Sequence, residues 1–438
     1  MRKLEKKYAN ELAVVGVHSA KFPNEKETSN VDKAVRRYQI EHPVINDGQF
    51  KVWQQYSCRA WPTLMFIDPL GNVVGKHEGE MSFEAFDGLI SQMVAEYDTQ
   101  GTLDRRPLPS VYRKPEDTLL SFPGKVLADG PGDRLFIADT NHNRIVVTSL
   151  DGAVKQVIGS GVDALTDGDL AGSTFNQPQG MALDGETLYV ADTGNHAIRR
   201  VDLAAGTVET IAGTGEQGHT REGRGPGRSM EICSPFDLVQ HQGSLYIAMA
   251  GIHQLWSMDL KDGMIGPFAG TGAEAITDGP LASAELAQPC GITTDGVKLF
   301  FADSETSSVR SADIDPAGKV RTIVGLDLFV FGDVDGSDHH VRLQHPIGIT
   351  HYDGVLYITD TYNHKVKRVL PAMKSAFTVL GNGAAGHVDG PANEAQFSEP
   401  SGISFANGKI YIADTNNHAI RVADIESAVV STLMIEGL

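Results

Sequence analysis

The chain has 438 residues, is 41% hydrophobic, holds 47 glycines and carries a formal net charge of −19, which is length enough for two or three domains. No run of about 18 apolar residues occurs, so no membrane span is expected, and the charged stretch from Met1 to Lys7 lacks the apolar core of a secretory signal. Three dispersed cysteines, Cys58, Cys233 and Cys290, exclude a disulfide framework and a cysteine zinc site and point to a reducing, cytoplasmic setting.

The charge is uneven. Residues 1–110 hold 14 Lys+Arg against 15 Asp+Glu, and the remainder holds 23 against 41. Phosphate backbones need a basic surface, so no nucleic-acid partner is expected.

In chain order, residues 3–10 read as the end of a helix, residues 12–18 as a buried strand and residues 31–40 as a short helix. A strand over 61–68 follows, then a Gly71-Asn72 turn leading into Val73-Val74, and a final helix near 82–97. A Trp61-Pro62-Thr63 opening a buried strand, followed by a Gly-Asn turn and a strand, resembles the C-terminal half of a thioredoxin fold. In that family the proline is cis and faces the redox cysteines, and the resemblance places Pro62 there, beside Trp61. The family's Cys-x-x-Cys is missing, and a thiolate held at a helix N-terminus is the centre of its chemistry. Its absence points to a chain that starts downstream of the motif or to a domain that has lost it. Cys58 is the one redox candidate, and as a lone thiol it cannot cycle a dithiol. Without its central strand this half-domain is expected to be unstable or to pair its strands differently.

From residue 120 onward a phrase repeats: Ile137-Ala138-Asp139-Thr140-Asn141-His142, Val190-Ala191-Asp192-Thr193-Gly194-Asn195-His196, Ile358-Thr359-Asp360-Thr361-Tyr362-Asn363-His364 and Ile412-Ala413-Asp414-Thr415-Asn416-Asn417-His418. Weaker copies carry Met249 and Asp303, so the aspartate position moves in steps of 53, 57, 54, 57 and 54 residues. Such a period marks a repeat architecture. Each period divides into four strand signals; in the second these are 180–183, 187–191, 197–202 and 208–212, with an Asp184-Gly185 hairpin turn between the first two. Six four-stranded repeats match a six-bladed β-propeller.

The strands Pro178-Gln179-Gly180-Met181-Ala182, Pro289-Cys290-Gly291-Ile292, Pro346-Ile347-Gly348-Ile349 and Pro400-Ser401-Gly402-Ile403, each followed by the aspartate phrase, resemble the NHL repeat family. The third blade departs most, with Phe236-Asp237 after Pro235 and Met249 for the aspartate. The combined organisation resembles the family of NHL repeat-containing protein 2, which joins a thioredoxin-like domain to an NHL propeller. The expected fold is therefore mainly β: a six-bladed NHL propeller over 120–438, a linker over 106–119, and a partial thioredoxin-like α/β domain over 1–105. Ring closure is open between sheet packing and a strand from residues 111–120.

The repeated Asp, Asn and His invite a reading as metal or catalytic groups, but five equivalent aspartates cannot form one active site. Turn chemistry explains them better. The residues after the inner-strand prolines (Gln179, Phe236, Cys290, Ile347, Ser401) offer none of the carboxylates that a hard cation needs, which argues against a metal-dependent propeller hydrolase. No catalytic residue, metal or cofactor is expected.

A second repeated element, Asp-Gly, precedes each inner strand at Asp167, Asp278, Asp335 and Asp389. Blade connectivity places these loops and the Asn-His turns on one face, where they are expected to crowd the channel mouth. The expected partner site is that loop face: His142, Asp167, His196, Asp278, Asp335, His364, Asp389 and His418, with Arg221 and Arg224 of the single basic loop available to an acidic partner. The leading expectation is a monomeric protein-interaction scaffold with a redox-inactive module alongside; the alternative is a thiol–disulfide oxidoreductase whose propeller selects clients.

Overall fold

A computed structural model of the chain describes residues 1–106 and 117–438. Two compact units are present, Met1–Glu116 and Asp117–Leu438. The expected linker falls largely on residues 107–116, outside the described residues, as does most of the expected closing strand over 111–120.

The first unit is α/β. Its helices are Arg2–Lys7, Thr28–Arg37, Lys51–Gln55 and Phe83–Thr99. Strand Gly16–His18 pairs in parallel with Val44–Asn46, and Thr63–Ile67 pairs antiparallel with Val73–Glu78. These are two separate two-stranded sheets. The long helix starts at Ser82, whose hydroxyl accepts the Ala85 N–H (3.3 Å), a common N-cap arrangement. It packs Phe86 and Ile90 onto Leu4, Tyr8, Leu64 and Phe66. The expected buried strand over 12–18 shrinks to Gly16–His18, with Val15 and Val17 half exposed. Among the described residues it has a pairing partner on one edge only.

The second unit is a ring of six antiparallel sheets. Blade 1 comprises Val126–Asp129, Arg134–Asp139, Arg144–Thr148 and Val154–Ile158; blade 2, Pro178–Asp184, Thr187–Asp192, Ala197–Asp202 and Thr207–Ala212. Blades 3 to 6 repeat this order from Pro235, Pro289, Ile349 and Pro400, and the last strand is Val429–Thr432. Blades 2 to 6 also carry a fifth strand of two residues, such as Gly168–Asp169 or Gly390–Pro391, on the outermost strand. Apolar clusters fill the space between neighbouring blades, for example Phe136, Ile145 and Phe175 with Met181, Leu188 and Val190.

The Pro-x-Gly glycines exist for close approach. A Cβ on Gly180 would lie 2.3 Å from the Asp237 Cα, and one on Gly402 would lie 2.5 Å from the Lys125 Cα. Adjacent inner strands touch backbone to backbone, which only glycine permits.

The ring closes by packing and by the C-terminal segment. Glu436 bridges Ala153 in parallel: the Val154 N–H donates to the Glu436 carbonyl (3.0 Å) and the Glu436 N–H to the Gly152 carbonyl (3.1 Å). Leu433, Ile435 and Leu438 pack on a cluster shared by blades 1 and 6.

Candidate interaction face and channel

The members of the repeated phrase bond in much the same way from blade to blade. The aspartate Oδ1 accepts an N–H of the loop entering its own blade: Ser121 to Asp139 (2.6 Å), Asn176 to Asp192 (2.7 Å), Ala287 to Asp303 (2.8 Å), Gln344 to Asp360 (2.7 Å) and Ser398 to Asp414 (2.7 Å). The following hydroxyl donates to the inner-strand proline carbonyl of the next blade, as Thr193 does to Pro235 (2.6 Å) and Thr415 to Pro123 (2.8 Å).

The last residue of the turn sits in the left-handed region and accepts a backbone N–H from the next blade. The pairs are Asn143 Oδ1 with Gln177 (2.9 Å), His196 Nδ1 with Ser234 (3.0 Å), His253 Nδ1 with Gln288 (3.0 Å), Ser307 Oγ with His345 (3.2 Å), His364 Nδ1 with Glu399 (3.1 Å) and His418 Nδ1 with Phe122 (3.1 Å). The final pair joins blade 6 to blade 1. An Nδ1 that accepts puts the proton of the neutral ring on Nε2. Asn143, one residue beyond the expected His142, holds this place in blade 1. His142 instead bonds Asp139 (2.8 Å).

The Asp-Gly carboxylates join a buried motif that the sequence reading missed. In blades 2, 4, 5 and 6 a buried cation stands seven residues beyond the buried aspartate, whereas Asp139 of blade 1 pairs with Arg144 five residues on (2.8 Å). Arg199 meets Asp192 (2.9 Å) and Asp167 (3.0 Å), Arg310 meets Asp303 (2.9 Å) and Asp278 (3.1 Å), Lys367 meets Asp360 (3.2 Å) and Asp335 (3.2 Å), and Arg421 meets Asp414 (2.8 Å) and Asp389 (2.6 Å). Burial pushes the Asp192 carboxyl up to about 6 against the pull of Arg199. Blade 3 replaces the pair with Met249 and Trp256, both fully buried, an apolar exchange that such ion pairs tolerate.

One expectation is therefore corrected. The Asp-Gly loops do not crowd the channel mouth. Gly168 and Asp169 pair with Val208 and Thr207 of the outermost strand, and the loops of the later blades do the same. The physical reason is edge satisfaction: an outer strand exposes unpaired backbone groups, and a short extra strand covers them. The Asp167, Asp278, Asp335 and Asp389 side chains each bond a threonine of that outer strand (Thr210, Thr322, Thr378 and Thr432). In the basic loop, Arg224 donates to the Ser257 side chain (3.0 Å) and the Met264 carbonyl (3.0 Å). Arg228 pairs with Asp167 (2.9 Å), and Arg221 is exposed, its side chain against Gly272.

At the channel, Lys125 and Asp237 occupy the position that is glycine in the other four blades. The Lys125 ammonium reaches Asp237 (3.0 Å), the Cys290 carbonyl (2.8 Å) and the Ile347 carbonyl (3.0 Å), so one side chain ties blade 1 to blades 3, 4 and 5. Burial pushes the Asp237 carboxyl up, opposed by Lys125. The pair bounds a cavity of about 200 Å³ whose wall includes Met181, Val239, Ile292 and Ser404. The neighbouring Cys290 thiol is pushed up to about 12 by burial.

In the first unit the Trp61–Pro62 peptide is cis. Trp61 stacks on Trp53 (4.4 Å between ring centres), and its indole N–H donates to the Ser19 carbonyl (2.8 Å). Burial works to raise the Asp47 carboxyl, but the Trp53 and Val52 N–H groups and the Ser19 hydroxyl outweigh it and hold it below its usual value. Half-buried Cys58 donates its N–H to the Trp53 carbonyl (3.0 Å). Among the described residues no three His, Cys, Asp or Glu side chains converge as metal ligands, and no helix is long and apolar enough to cross a membrane.

The NHL repeat family model matches residues 175–200 and 397–423. NHL repeat-containing protein 2 of Gallus gallus is 40% identical over 475 aligned residues, covering 99% of this chain and 65% of that protein. Protein SUPPRESSOR OF QUENCHING 1, chloroplastic, of Arabidopsis thaliana is 40% identical over 460 residues, covering 99% of this chain and 44% of that protein. The chain thus spans less than two thirds of the length of these relatives. Among solved structures, an auxiliary nutrient binding protein from Bacteroides thetaiotaomicron superposes with a TM-score of 0.52 at 13% identity, over 72% of this chain and 70% of that one, a likeness of fold. With six blades whose repeated residues have matching roles, this chain folds as a six-bladed β-propeller that carries NHL repeats and is similar along nearly its whole length to NHL repeat-containing protein 2.

Proposed function

We propose that the chain is a protein-interaction scaffold in which the rigid propeller presents the variable loops of one face, with the N-terminal unit as a redox-inactive thioredoxin-like module. The observation that carries this is the division of labour in the ring. The phrase residues join blade to blade, while the loops between outer and inner strands differ from blade to blade in length and chemistry. A rigid frame with variable loops is how many folds hold a recognition surface. A monomer in the cytoplasm belongs to the same proposal.

The test is site-specific photo-crosslinking in cells, with the crosslinker at Val162 or Val388 on the loop face and at Gly185 or Gly408 on the opposite face. A discrete protein adduct from the loop face alone is expected. Adducts only from the opposite face, or none from either, overturn the reading. Turnover in an insulin-reduction assay that is lost in Cys58→Ser would favour the oxidoreductase alternative instead.

A further inference from the structure

The loop between blades 4 and 5 differs from its sisters. It reads Gly325-Leu326-Asp327-Leu328-Phe329-Val330-Phe331, where the preceding loop reads Gly270-Thr271-Gly272-Ala273-Glu274-Ala275-Ile276 and the following one Gly381-Asn382-Gly383-Ala384-Ala385-Gly386-His387. Leu326 is 47% exposed, Phe329 65% and Val334 47%. The loops entering blades 2 and 6 each expose one large apolar side chain, Val162 and Val388. Phe329 stands at the tip of a two-residue turn (Asp327 bridges Val330), and clustered exposed apolar residues mark interaction sites.

Charge narrows the partner. Asp327 is exposed, and its carboxylate, unlike its carbonyl, which accepts the Val330 N–H (3.2 Å), forms no hydrogen bond or ion pair among the described residues. The cations nearby are already engaged: Lys365 and Lys367 with Asp333, and Arg342 with backbone carbonyls. The surrounding unit is strongly acidic, since residues 111–438 hold 23 Lys+Arg against 41 Asp+Glu. Such a field draws basic segments in and holds acidic ones off.

We infer that this loop is the docking point for a basic segment of a partner protein that carries an apolar anchor, seated on Leu326 and Phe329 with a lysine or arginine against Asp327. The inference rests on the scaffold reading and names its partner class. Aromatic anchors at the centre of a contact carry most of its energy, and rim charges tune rate and salt dependence.

The test measures binding of two 12-residue synthetic peptides by fluorescence anisotropy on the full chain. Each carries a central Leu-x-x-Leu, flanked by lysines in one and by glutamates in the other. The lysine peptide should bind, and Leu326→Ser with Phe329→Ser should weaken it at least about tenfold while leaving the melting temperature unchanged. Asp327→Asn should weaken it about threefold and flatten its salt dependence. Equal binding to wild type and to the double variant overturns the inference, as does preference for the glutamate peptide. Self-association abolished by Phe329→Ser would overturn it too, naming a second copy of the chain as the occupant. Loop-face crosslinks from Val162 or Val388 but none from Phe329 would sink this inference and leave the scaffold reading standing.

Discussion

Lys125 and Asp237 stand at the same inner-strand position in blades 1 and 3, replace the glycine found there in the other four, and meet across the channel at 3.0 Å. Each explains the other. A buried ammonium needs a counter-charge, and Asp237 supplies it where a glycine would leave only carbonyls.

Removing one partner strands the other. Lys125→Gly or Asp237→Gly alone should cost about 3–5 kcal/mol. The double change Lys125→Gly with Asp237→Gly, which restores the pattern of blades 2, 4, 5 and 6, should cost less than either single change. Urea denaturation of the four proteins gives the coupling; additive losses would mean that the two residues act independently.

The contact between His418 and Phe122 is one of the links that close the ring. His418→Ala leaves the Phe122 N–H without its acceptor and should cost about 1–3 kcal/mol. His418→Asn should recover most of it, because Asn143 does the same work in blade 1. If Asn recovers nothing, the ring, rather than the hydrogen bond, is what matters at that site.

The C-terminal segment should be separable in its effect. Deleting residues 433–438 uncovers the apolar surface that Leu433, Ile435 and Leu438 cover, and should lower stability by about 2 kcal/mol or more. Hydrogen exchange should then quicken in Val154–Ile158 before any other outer strand.

Acid sensitivity follows from Asp389. Burial works to raise Asp389, but the Thr432 N–H and the Arg421 guanidinium outweigh it and hold it below its usual value. A carboxylate lowered in the folded state stabilises above its unfolded value, near about 4, and loses that contribution as pH falls through the folded value. Asp389→Asn should therefore be less stable than wild type at pH 7 and show a shallower decline in melting temperature below about pH 4. Parallel curves would refute the assignment.

Thiol reactivity should rank by exposure. Half-buried Cys58 should take up iodoacetamide in the native protein, whereas buried Cys233 and Cys290 should label only after unfolding, Cys290 being held protonated to about 12. Peptide mapping by mass spectrometry reads all three.

The sequence by itself determined the blade count, the strand spans and the bonding phrase, because these are periodic and local. A hairpin turn at Asp184-Gly185 or a left-handed His196 is set by its immediate neighbours. Arg199, Arg310, Lys367 and Arg421 were also legible in principle, at a constant seven residues beyond the aspartate, but a strand's alternation does not announce which face is buried. What only the tertiary structure decided is non-local: Lys125 against Asp237, the blade-to-blade hydrogen bonds closed by His418, and the outward placement of the Asp-Gly loops. Those depend on bending six sheets into a ring, which brings together residues 112 and 296 positions apart, a separation at which no sequence spacing carries information.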